Sequence, residues 1–170
     1  MLSKNIETAL NKQLRIEAES SQIYLAMASW SETHGLEGIS KFMYAQSDEE
    51  RIHMLKIIKY INERGGHAKV TDLQEPKTNY ITFKEMFEEV YKHEVFVSEA
   101  INDLVHVSLT EKDYATHNFL QWYVAEQIEE EAQAKVILDK INLIGDDKGG
   151  LYLFDRDIQQ LTLKNSESSK

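Results

Sequence analysis

Residues 39–60 read ISKFMYAQSDEERIHMLKIIKY, and one set of positions in this stretch recurs in alternating steps of four and three. Such steps place side chains on one stripe of an α-helix, as at the core positions of a helical bundle. The stripe consists of Ile39, Met43, Gln46, Glu50, His53, Ile57 and Tyr60. The segment therefore predicts a helix that faces a core containing charged residues.

Three further segments repeat this pattern, and each of them carries a carboxylate on its stripe. The stripes are Leu10, Leu14, Glu17, Ser21, Tyr24 and Ala28; Phe83, Phe87, Val90, Glu94, Val97, Ile101 and Leu104; and Leu120, Tyr123, Gln127, Glu130, Ala134, Ile137, Ile141 and Ile144. Glycines and the single proline separate the segments. The predicted helices span about 4–33, 37–64, 82–109, 114–144 and, as a short fifth element, 149–160.

The lengths of the connections predict the topology. The turns near residues 35 and 112 are short, so the first two helices pair antiparallel, as do the third and fourth. The middle connection of about 15–17 residues reaches roughly 50–60 Å when extended, which exceeds the length of a bundle helix. We therefore predict an all-α four-helix bundle with a long crossover between helices two and three, plus a short C-terminal fifth helix. We expect one domain over residues 1–163 and a disordered tail over 164–170.

Composition excludes several classes of function. The chain of 170 residues has 19 Lys plus Arg against 29 Asp plus Glu, a net charge of −10, which disfavours binding to nucleic acid. It has no Cys, so disulfides, thiolate metal sites and cysteine nucleophiles are excluded. It has no run of 18 apolar residues and its first residues lack an apolar leader, so we expect a cytoplasmic protein without a membrane span.

Four glutamates at predicted core positions indicate a metal site. Burying an unpaired carboxylate costs roughly several kcal/mol of folding free energy, unless the carboxylate takes up a proton. Glu17 and His53 are equally distant from the first turn, and Glu94 and Glu130 from the second, so each hairpin brings its polar residues to one level. Glu50 and His53 are three positions apart and point the same way on a helix. Carboxylates with one imidazole and no sulfur suit iron or manganese, and tolerate zinc.

These residues resemble the bacterial non-haem ferritins of the ferritin-A type, and the resemblance covers nearly the whole chain. It rests on Glu17 with Tyr24, on Glu49-Glu50-Arg51-Ile52-His53, and on residues 118–127, NFLQWYVAEQ, which are followed by Glu129-Glu130-Glu131. The resemblance implies a ferritin-like four-helix bundle with a dinuclear iron centre.

The resemblance also implies a role for each ligand of that centre. Glu17, Glu50 and His53 would bind the first iron, Glu50 would bridge the two ions, and Glu94 and Glu130 would bind the second iron.

Three further features follow from the resemblance. Gln127 would form hydrogen bonds at the centre, and Tyr24 would be a nearby phenol that assists electron transfer. A third iron site would use Glu49, Glu126 and Glu129, with Glu130 shared. No haem is expected, because Ile52 occupies the position of the haem-binding Met of bacterioferritin.

The function implied by the resemblance is iron storage. Such a protein oxidises Fe(II) to Fe(III) with O₂ or hydrogen peroxide, as a ferroxidase, and keeps the product as a ferric oxide mineral. The shell that holds the mineral would be a homo-oligomer, a 24-mer, with the fifth helices around its four-fold axes.

Two alternatives belong to other classes. A peroxide reductase on the same bundle would carry a second Glu-x-x-His step, but the corresponding positions here are Gln127 and Glu130. A non-enzymatic scaffold would tolerate the loss of the seam carboxylates without any change in iron oxidation.

Overall fold

The computed structural model describes residues 1–168, and the side chains as far as residue 161. Its five helices are α1 (Lys4–Thr33), α2 (Glu37–Glu63), α3 (Phe83–Thr110), α4 (Tyr114–Ile144) and α5 (Lys148–Ser168). The described residues contain no strand, so the prediction of an all-α bundle with an additional C-terminal helix is confirmed. None of the helices within the described range is long and apolar enough to cross a membrane.

The first, third and fourth helices begin at side chains that accept hydrogen bonds from their own first turns. Ser3 accepts one from the Ile6 amide at 3.1 Å, and Thr82 accepts one from the Glu85 amide at 3.1 Å. Asp113 does the same for the Thr116 amide, at 3.0 Å. Each of these acceptors satisfies an amide that has no partner within the helix.

The core has two apolar parts, and a polar layer lies between them along every bundle helix. On α1 the apolar residues from Ile6 to Ile16 belong to one part and those from Tyr24 to Trp30 to the other, with Glu17 between them. The same order, apolar then polar then apolar, holds on α2, α3 and α4. Well-packed apolar side chains therefore bound the polar layer on both sides.

The long connection between α2 and α3 follows α1 from its start to its end, as a full-length crossover must. Near its beginning, the His67 amide donates to the Glu7 carboxylate at 3.0 Å and the Lys69 amide donates to the Asn11 side chain at 2.6 Å. Near its end, the ring of Tyr80 packs edge-on against that of Trp30, with centroids 5.5 Å apart. The predicted crossover is thus present.

The fifth helix is longer than predicted. It spans 21 residues, Lys148–Ser168, and its backbone continues through residues 164–168, which are part of the predicted tail. No Gly or Pro follows Gly150, so α5 contains no strong helix breaker beyond its first turn. Residues 169–170 lie outside the described range, and the boundary between domain and tail stays a prediction.

The fifth helix docks on the start of α2. The N-cap residue of α2, Leu36, offers no side-chain acceptor, and the Asp155 carboxylate of α5 instead accepts hydrogen bonds from the amides of Gly38 and Ile39 at 3.1 and 2.9 Å. A Cβ atom at position 38 would lie 1.6 Å from the backbone oxygen of Asp155. The docking therefore requires glycine at this position.

Gly38→Ala should push α5 away from α2 and expose part of the core. We expect the free energy of unfolding to fall by about 2 kcal/mol or more, from the lost cap and the exposed apolar area. Denaturant unfolding and limited proteolysis of α5 measure this. The matched control is Gly149→Ala, because a Cβ there meets its nearest atom at 3.5 Å, an ordinary contact. Equal midpoints for the two variants would contradict the account of the docking.

Candidate metal centre

The polar layer contains a compact group formed by Glu17 of α1 with Glu50 and His53 of α2. One ligand atom of each lies within 4.8 Å of the other two. The His53 Nδ1 atom lies 3.4 Å from Glu50 Oε2 and 3.8 Å from Glu17 Oε2. All three residues are at most 2 % exposed. We call this the inner group.

Two oxygens of the inner group have no hydrogen-bond partner although they are buried, namely Glu17 Oε2 and Glu50 Oε2. The other oxygen of Glu17 accepts a hydrogen bond from Gln13 Nε2 at 2.8 Å, so the unpartnered oxygen is the one nearer to His53. A buried polar atom without a partner is unfavourable unless a ligand supplies the missing interaction. A cation between these two oxygens and His53 would supply it.

Burial and mutual repulsion also alter the protonation of this layer. Burial raises the pKa of Glu50 well above its usual value, and it raises the pKa of Glu130 to about 8 with help from the charge of Glu94. Burial alone would lower the pKa of His53, but the carboxylates of Glu17 and Glu50 outweigh it and raise that pKa well above its usual value. Burial thus favours the protonated forms of Glu50 and Glu130, and a bound cation would favour their ionised forms.

The carboxylates on α3 and α4 have their hydrogen-bond donors. Glu94 accepts hydrogen bonds from the Tyr24 hydroxyl and, at 3.1 Å, from Gln127 Nε2. Glu130 Oε2 accepts one from Gln46 Nε2 at 3.1 Å. The structure thus brings Tyr24 and Gln127 to the centre with the predicted ligands.

Aromatic rings of α4 support the imidazole of His53. The Trp122 ring meets it edge-on with centroids 5.1 Å apart, and the Tyr123 hydroxyl donates to the His53 backbone oxygen at 2.8 Å. Helix α4 thus contacts both the ring and the backbone of His53.

Sequence reasoning did not identify Gln13 and Gln46 as site residues. Gln46 stands on the stripe of α2 one turn before Glu50, so its position was a usable signal. Gln13 lies one turn before Glu17 but off the predicted stripe, so only the structure reveals its hydrogen bond.

A second group lies beside the first and shares His53 with it. Ligand atoms of Glu49, His53 and Glu126 lie within 4.8 Å of one another, and both glutamates are partly exposed. We call this the outer group. The predicted third site named Glu49 and Glu126 together with Glu129, which is exposed and is not part of this group. Burial raises the pKa of Glu126, and the charges of Glu49 and Glu129 add to that effect.

Glu50→Gln should separate stability from metal binding. The variant removes a buried carboxylate that Glu17 and Glu94 repel, so we expect the protein without metal to unfold at the same temperature or higher. The rise in unfolding temperature that Zn²⁺ gives the parent protein should be lost. Calorimetric unfolding with and without Zn²⁺ measures both quantities.

The control for this variant is Glu63→Gln, on the exposed end of the same helix. It should keep the full stabilisation by Zn²⁺. Unchanged stabilisation in Glu50→Gln would instead place the cation elsewhere.

The sequence of this chain matches one protein family and several known proteins over most of its length. Residues 7–144 match the protein family described as "Ferritin-like domain". The chain is 42% identical to the "Bacterial non-heme ferritin" of Campylobacter jejuni, with 98% of this chain and 100% of that one aligned. It is 43% identical to a "Probable bacterial non-heme ferritin-like protein" of Haemophilus influenzae, over 96% and 99% of the two chains.

Two of the solved structures share the fold of this chain and more than 40% of its aligned residues. An "open pore ferritin" from the archaeon Archaeoglobus fulgidus superposes with a TM-score of 0.92 at 44% identity, over 93% of this chain and 96% of that one. A "Humanized Archaeal ferritin" gives the same TM-score at 43% identity, over 94% and 96%. The resemblance inferred from the residues is thereby confirmed.

Proposed function

The chain belongs to the ferritin family, and from this premise we propose that it is an iron-storage protein with ferroxidase activity. The observation that carries the proposal is the pair of buried, unpartnered oxygens of Glu17 and Glu50 facing the imidazole of His53. Hard oxygen ligands with one imidazole suit iron, and Fe(II) is the substrate.

We propose a role in iron binding for each carboxylate. Glu17, Glu50 and His53 bind the first Fe(II), and Glu50 reaches across to the second. Glu94 and Glu130 bind the second Fe(II), for which their hydrogen bonds from Gln127 and Gln46 must loosen. Tyr24 holds Glu94 through its hydroxyl and is close enough to the centre to assist electron transfer.

The reaction balances with two iron ions. Each Fe(II) gives up one electron, and one O₂ with two protons becomes hydrogen peroxide. With peroxide as the oxidant, one molecule and two protons become two waters. Carboxylates stabilise Fe(III) more than Fe(II), because their negative charge offsets the additional positive charge, so the centre favours oxidation.

We propose further that the protein is a homo-oligomer, a 24-mer shell that stores the ferric product as mineral, in the cytoplasm. The net charge of −10 suits a shell that attracts cations. The third iron site is proposed at Glu49, Glu126 and Glu129, with His53 also within reach of the first two. The centre would work without haem, since Ile52 takes the position of the haem-binding Met.

Replacing Glu17, Glu50 and Glu130 together by Ala should abolish fast iron oxidation and leave the assembly intact. Anaerobic loading with Fe(II) followed by O₂, with absorbance recorded and native mass read by light scattering, tests both parts. The parent protein should form a particle of about 24 chains and take up about two to three iron ions per chain in the first phase.

Two results would contradict the proposal. Oxidation at the parent rate in the triple variant would favour a scaffold with surface glutamates. A small oligomer with fast oxidation would mean a di-iron enzyme on this bundle rather than a storage protein.

A further inference from the structure

One lysine, Lys56, lies near the outer group of Glu49, His53 and Glu126. Lys56 follows His53 by one turn on α2, and its Nζ atom lies 3.5 Å from the centroid of the Trp122 ring. The Trp122 ring in turn meets the imidazole of His53 edge-on. The lysine therefore belongs to the same surface of α2 and α4 as the outer carboxylates.

The ammonium group of Lys56 is held in place instead of extending into water. An ammonium over the face of an indole ring is attracted by the π electrons, and the four-carbon chain packs along the surface. The Lys56 side chain is partly buried, which lowers its pKa, while the charge of Glu126 opposes that shift. The charge of Lys56 likewise acts on Glu126.

We propose that Lys56 is a resident counter-ion of the outer group, which weakens metal binding there and so lets iron pass through the group instead of remaining in it. The inference rests on the proposed function. It assigns to Lys56 a role in the transit of iron, while the ligands themselves stay as proposed above.

Lys56 and a metal ion in the outer group both depend on the charge of Glu126. A cation held by Glu49, His53 and Glu126 uses the same Glu126 charge that Lys56 already offsets, and the two positive charges repel each other. For charges several ångströms apart near a protein surface, this repulsion changes affinity roughly three- to thirty-fold. Salt screens it, so the effect shrinks as ionic strength rises.

A weak outer group also protects the inner group. His53 belongs to both groups, so an ion bound tightly outside would compete with Glu17 and Glu50 for the imidazole. Repulsion from Lys56 limits that competition and leaves the imidazole available to the inner group.

The test uses Lys56→Met in the full-length assembled protein, with Zn²⁺ alone as a redox-inert probe in calorimetry. We expect the ion that binds after the first two to bind about three- to thirty-fold more tightly than in the parent protein, and we expect this gain to shrink as salt is added. In aerobic oxidation of Fe(II), turnovers after the first should become slower relative to the first.

Two variants serve as controls. Lys59→Met removes an exposed lysine from the same helix and should leave Zn²⁺ binding as in the parent protein. Lys56→Arg keeps a cation that can stack on Trp122, and it should restore the weak binding. A merely structural role in packing Trp122 would move Trp fluorescence without moving the salt dependence.

The possible results separate the inference from the proposed function. An unchanged affinity of the later ion in Lys56→Met, the absence of a later ion in both proteins, or an equal change in Lys59→Met overturns the role of Lys56. The absence of the first two ions from the parent protein instead overturns the proposed function. Tighter later binding confined to Lys56→Met supports the inference.

Discussion

Burial of carboxylates between two apolar halves of one bundle is the constraint on which the rest of the structure depends. Glu17, Glu50, Glu94 and Glu130 are at most 6 % exposed, and each is flanked along its helix by packed apolar residues. In such a place a carboxylate needs a hydrogen-bond donor, a proton or a cation. The apolar halves supply the folding energy that allows the middle layer to remain unfavourable until a cation binds.

The layer is not equally satisfied on its two sides. On α3 and α4, Glu94 and Glu130 accept hydrogen bonds from tyrosine and glutamine side chains. On α1 and α2, one oxygen each of Glu17 and Glu50 has no donor. The side with free lone pairs is thus prepared for a cation, whereas a cation on the other side must compete with existing hydrogen bonds.

Helical periodicity and the position of charge within it predicted the bundle and the buried polar layer. The stripes placed Glu17, Glu50, His53, Glu94 and Glu130 in the core, and all five are buried. A charged residue at a core position of the helical repeat indicates a ligand-binding role, because burying a charge without a partner is unfavourable. The ligand roles themselves came from the resemblance to a family, because periodicity shows burial and leaves coordination open.

Other features depend on contacts between elements that are distant in sequence. The cap that Asp155 provides for α2 and the approach of α5 to Gly38 have no local pattern. The membership of His53 in two groups depends on how α4 packs against α2, which stripe positions do not specify. The length of α5 was not predicted, because the Asn and Ser residues of positions 164–168 are weak helix formers.

A protein that stores its substrate faces a limit that an enzyme with a resident metal does not. Carboxylates favour the ferric product over the ferrous substrate, so a centre built only from them would keep what it makes. Competing interactions must therefore bound the affinity. In the proposed centre, the hydrogen bonds that Gln127 and Gln46 donate to Glu94 and Glu130 would provide such competition inside the layer. Outside it, the inner and outer groups share the imidazole of His53, so in the proposed function an ion in one group would leave one ligand fewer for an ion in the other.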